Sequence, residues 1–100
     1  MKIWIAMTQY LYDHDVHLTT HLTQKGALIE IIGRMTEDLC SGIAEDEMED
    51  FRPDMPHDPE EDLMSYSSEQ LERKFSDWLE YSHDMVEHLS YDWYQTEVAA

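Results

Sequence analysis

KIWIAMTQYLYDHDVHLTTHLTQKGALIEII, residues 2–32, changes its periodicity partway along, and that change sets the architecture. From Lys2 to Tyr12, Ile3, Ile5 and Met7 alternate with Trp4, Ala6, Thr8, Tyr10 and Tyr12. Both sets are largely apolar, the pattern of a central strand. Asp13, His14 and Asp15 are turn formers, after which Val16, Leu18, Thr20 and Leu22 alternate with His17, Thr19, His21 and Thr23. A second strand is expected here, with the Val16 to Leu22 set on its one buried face and the pair forming a hairpin. The period then lengthens: Ala27, Leu28, Ile31, Ile32, Met35 and Leu39 follow helical spacing, with Thr23 placed to cap the helix and Gly42 to stop it.

Working outward, Ser67 with Gln70 three residues later forms a capping box at the start of a second helix. Its apolar stripe, Leu71, Phe75, Trp78, Leu79, Met85, Val86 and Leu89, is the strongest periodic signal in the chain. The closing YDWYQTEV, residues 91–98, is aromatic and β-branched and reads as a third strand joining the hairpin. The expected fold is α+β, in the order β-β-α-loop-α-β, with two helices on one face of a small three-stranded antiparallel or mixed sheet. One domain over residues 1–100 is expected, since this length suits a single core.

Hydrophobic residues at 42% and aromatics at 11% can furnish that core. The single cysteine, Cys40, excludes an internal disulfide; it favours a reducing compartment and, lying at the end of an apolar helical pattern, reads as a core residue. The opening residues lack the pattern of a signal peptide, and no apolar run is long enough to cross a bilayer. A cytoplasmic protein is therefore expected.

Between the helices, AEDEMEDFRPDMPHDPEED (44–62) carries ten carboxylates, one arginine and all three prolines. The formal charge of −17 is polarised: residues 1–42 contribute −2, residues 43–66 contribute −9 and residues 67–100 contribute −6. Such a field repels nucleic acid and anionic membranes and attracts basic surfaces. Pro53, Pro56 and Pro59 recur every three residues, so the segment is expected to be stretched, in part as polyproline II, and pinned at Met48, Phe51 and Met55.

On the second helix, at about 100° per residue, Glu69, Glu72, Asp77, Glu80, Asp84 and Glu87 fall within an arc of about 140° opposite the apolar stripe. They cover about 27 Å of axis, a length in which one DNA strand places about eight phosphates. Ordinary helices alternate charge signs, because like charges one turn apart destabilise by a few tenths of a kcal/mol each. A functional anionic surface is the preferred reading over a merely solvated helix face or adaptation to high salt.

Other chemistry has less support. His17 and His21 lie about 13 Å apart along a strand, too far to share one ion, and the hairpin residues Asp13, His14 and Asp15 are also what a turn requires. The acidic segment lacks the glycine and ligand spacing of a calcium loop. The pairs His57-Asp58 and His83-Asp84 superficially match a metal phosphohydrolase signature, but such folds need a larger helical body. Neither a phosphate-binding glycine loop nor a nucleophile elbow is present. No enzyme activity, cofactor or metal is expected.

A small single-cysteine α+β domain with one anionic side resembles the DNA-mimic inhibitors encoded by phages and mobile elements, the anti-CRISPR and anti-restriction proteins. The resemblance rests on Glu45, Asp46, Glu47, Glu49, Asp50, Asp54, Asp58, Glu60, Glu61 and Asp62, and on the helix row from Glu69 to Glu87. It is one of charge and size over about half the chain, so no individual role transfers. It implies a basic nucleic-acid-binding partner, such as a type I CRISPR surveillance complex in the host cytoplasm, whose DNA site these carboxylates would occupy. Tyr66, Tyr81 and Tyr91 are expected to add contacts. The alternative is a phage or plasmid regulatory module that binds a protein surface away from any nucleic-acid site. The histidine and aromatic face of the hairpin offers a homodimer contact.

Overall fold

The computed structural model describes residues 1–10, 15–40, 55–58, 61–85 and 89–98. Strands β1 (Lys2–Tyr10) and β2 (Asp15–His21) lead into helix α1 (Gln24–Cys40). A 3₁₀ turn (Leu63–Ser65), helix α2 (Ser68–Met85) and strand β3 (Leu89–Glu97) follow. The strands form an antiparallel sheet in the order β2-β1-β3, and both helices pack on one face of it, giving the α+β order β-β-α-α-β. The expected class and the central place of β1 hold.

Register explains the packing. Ala6 lies opposite Thr19 on β2 and Trp93 on β3, and Thr8 lies opposite His17 and Tyr91. Ala6 and Thr8 are fully buried, and small side chains at the middle of the sheet let α1 approach closely. Helix α1 touches all three strands, while α2 packs chiefly along α1. Leu28, Ile31, Ile32, Met35, Leu71, Phe75 and Trp78 join Ala6 and Tyr91 in one core.

Both helix starts follow the residues that cap them. Thr23 Oγ1 accepts from the Gly26 amide at 3.0 Å. At α2 the capping box is reciprocal: the Gln70 amide donates to Ser67 Oγ at 3.2 Å, and the Ser67 amide donates to Gln70 Oε1 at 2.9 Å.

The structure corrects several expectations. Strand β2 turns its Val16, Leu18 and Thr20 face away from the helices, leaving Leu18 54% exposed and the following Leu22 73% exposed. Its Thr19 and His21 face is the half-buried one. The cause is Arg34, which α1 brings over the sheet: its guanidinium donates to Thr19 Oγ1 at 2.7 Å, to the His17 carbonyl at 3.2 Å and to Thr8 Oγ1 at 3.3 Å. A half-buried guanidinium needs acceptors, and the polar side of β2 supplies them. Asp15 opens β2 opposite Tyr10 rather than lying in a turn, and Cys40 is half-buried. Helix α2 ends at Met85, and Leu89 opens β3 instead of extending the helical stripe. Gly42, Val86 and the hairpin residues 11–14 lie outside the described residues.

No helix among the described residues is long and apolar enough to cross a membrane.

Candidate anionic interface

Helix α2 is anchored on one side by Leu71, Phe75 and Trp78, and Tyr81 meets the Trp78 ring edge to face with centroids 5.7 Å apart. The opposite arc carries Glu69, Glu72, Asp77, Glu80 and Asp84 over about 22 Å of axis. Glu69 and Glu80 are exposed, and neither has an ion-pair partner among the described residues. Glu69 sits in the first turn, where the helix dipole favours an anion. Glu80 lies more than a turn before the helix end, where the dipole has little effect on an anion.

The other carboxylates of the arc are partly engaged. Glu72 Oε1 accepts from Gln24 at 2.6 Å, which ties the start of α2 to the start of α1. Asp77 Oδ2 lies 2.9 Å from His57 Nε2.

The end of the acidic segment folds against α2 around Lys74. This lysine falls within the helix's apolar stripe, and only 8% of it is exposed. Its ammonium lies 2.8 Å from Glu61 Oε1, 3.2 Å from His57 Nδ1 and 4.2 Å from the centroid of the Tyr66 ring. Glu61 Oε1 is buried, and the Lys74 ammonium is its partner. Tyr66 donates its hydroxyl to Glu61 Oε2 at 2.8 Å, and that bond, followed by burial and the Glu61 charge, pushes the phenol above its ordinary value. His57 thus bridges the two side chains, its Nδ1 facing the Lys74 ammonium and its Nε2 facing Asp77.

Of the acids expected at the interface, Glu61 is thus consumed internally. Asp62 is exposed but caps the 3₁₀ turn by accepting from the Met64 amide at 3.0 Å. Asp58 is exposed. Where the segment is described it bends and turns against the helix instead of stretching; Met55 packs on the core as expected. Glu45, Asp46, Glu47, Glu49, Asp50, Asp54, Glu60 and Glu87 lie outside the described residues, as do Met48, Phe51, Pro53 and Pro59 and the side chain of Asp84. The exposed aromatic contacts are corrected: Tyr91 is buried and donates to Asp38 Oδ2 at 2.7 Å, while Tyr66 and Tyr81 are half-buried.

The Lys74 cluster was not anticipated, although the sequence carries its signal. Lys74 lies between Leu71 and Trp78 at helical spacing, so a charge on the buried stripe had to find partners. Arg34 has the same character. It borders a groove of about 380 Å³ lined by His17, Leu18, Thr19, Glu30, Glu37 and Asp38. Its guanidinium is held within the fold by Glu30 and by acceptors on β1 and β2, which gives it a structural role.

Comparison with protein-family models, with characterised proteins and with solved structures finds no match.

Proposed function

We propose that the protein is a stoichiometric inhibitor of a nucleic-acid-binding host defence complex, an anti-CRISPR protein that blocks target DNA binding by presenting carboxylates in place of phosphates. The observation that carries the reading is the pair Glu69 and Glu80, exposed and without ion-pair partners among the described residues, on a helix whose other side is locked into the core. The five acids of the α2 arc average one per about 6 Å of axis, against one phosphate per about 3.4 Å along a DNA strand. The helix supplies somewhat more than half the linear density of a strand. The acidic segment before it, with its −9 over residues 43–66, provides the remainder.

The partner is a Lys/Arg-lined channel, engaged inside the host cell. Inhibition needs no catalytic residue and no cofactor. The reading is tested with Glu69→Lys and Glu80→Lys combined, measured as binding to a purified type I surveillance complex loaded with guide RNA. Both residues are exposed, so the fold should persist, with Glu69→Lys costing about 0.3–1 kcal/mol against the helix dipole, while binding falls by about a hundredfold or more. Normal binding by this variant would sink the reading.

A second reading, an interaction module that leaves the nucleic-acid site free, is favoured by one feature: the open face of the sheet, where Val16, Leu18, Leu22 and Tyr94 are exposed and Asp92 is the one charged side chain among the described residues.

A further inference from the structure

We infer that the open face of the sheet is a self-association surface and that a second copy of this chain covers it, face to face across a two-fold axis. The register brings Ile5, Met7, Leu18 and Tyr94 together on the side away from the helices. Val16, Leu18, Leu22 and Tyr94 are exposed there. At one end Met1, Ile3, Thr20, His21, Leu22 and Val98 line a depression of about 280 Å³. Among the described residues of this face the one charged side chain is Asp92.

The occupant follows from charge. The chain bears −17, and a cationic partner would be drawn to the acidic side of the molecule rather than to a face that offers one carboxylate. A second copy meets the opposite condition, because among the described residues this face carries a single charged side chain and can approach its own image without carboxylates opposed. Packed sheets stand about 10 Å apart and a helix layer adds roughly another 10 Å on each side, so the two α2 arcs end more than about 30 Å apart. Repulsion between them is screened across several Debye lengths of about 8 Å.

An in-plane two-fold axis across the strands at Ile5 sets Ile5 against its own copy, Leu18 against Leu22 and Asp92 against Thr96, so no carboxylates meet. Three strands at about 4.8 Å spacing and some 30 Å of length give about 400 Å² of flat area per copy. The pair therefore buries about 800 Å² before side-chain relief is counted, at the small end of specific interfaces, and micromolar association is expected. The dimer carries an anionic side on each outer surface.

Sedimentation equilibrium from about 10 to about 500 µM tests this. The weight-average mass should climb from 11.9 kDa toward twice that value, with little dependence on salt. Leu18→Glu should hold the protein at 11.9 kDa with its fold intact; Leu22→Glu, at a position 73% exposed, repeats the test independently of the strand. The Glu69→Lys/Glu80→Lys protein should dimerise like wild type, which separates this surface from the inhibitory one. A monomer at every concentration, or a dimer that both glutamate variants leave unchanged, overturns the inference.

Discussion

Replacing Lys74 by methionine keeps the length and apolar stem of the side chain but deletes the charge facing Glu61. The pair is well shielded, with the Lys74 side chain 10% and the Glu61 side chain 18% exposed at a separation of 2.8 Å. Breaking a buried pair from one side costs about 3–5 kcal/mol, because the remaining charge loses its partner. Glu61 Oε1 is buried with Lys74 as its partner among the described residues, which places the loss near the lower end of that range. For a domain of 100 residues with about 5–15 kcal/mol of total stability, the lower end of that loss is already a large fraction. Neutralising the partner as well should recover much of it: Glu61→Gln retains an acceptor for the Tyr66 hydroxyl and removes the stranded charge. Urea unfolding of wild type, Lys74→Met, Glu61→Gln and the double variant closes the cycle. A coupling energy of about 2 kcal/mol or more is expected. A value below about 0.5 kcal/mol, typical of exposed pairs, would refute the view that Lys74 clamps the acidic segment to α2.

Two further outcomes follow from the electrostatics. The Tyr66 phenol is raised in the folded state above its unfolded value near 10, so its contribution is fully present below about pH 10 and is lost as pH rises through the folded value. Tyr66→Phe should therefore show a shallower loss of stability above about pH 10 than wild type, read by denaturant titration at several pH values. Self-repulsion at −17 opposes folding, so the thermal midpoint should rise between low and moderate salt; a flat response would mean that the carboxylates are too far apart to interact.

The parts of the fold that depend on period were legible in the sequence. Alternation of two apolar sets marked β1 as central, and the stripe from Leu71 to Trp78 marked α2. Period two does not say which side of a strand turns inward, however, and the usual assumption of apolar inside fails at β2 because Arg34 requires polar neighbours. The end of α2 was misplaced for a related reason: Leu89 fits the helical spacing and opens a strand equally well, so periodicity could not assign it. At the candidate interface, charge could be counted from the sequence but its internal use could not. Glu61, Glu72 and Asp77 look like Glu69 and Glu80 in the sequence, and only the packed structure separates those bonded to Lys74, Gln24 and His57 from those left facing outward.

The proposed function requires that the acidic face and DNA compete for one cationic site. Mixing the guide-loaded surveillance complex with fluorescent target duplex and then titrating in this protein measures that directly. Full displacement of the duplex at about one inhibitor per complex is the predicted result. A stable ternary assembly holding both the duplex and the protein would contradict it.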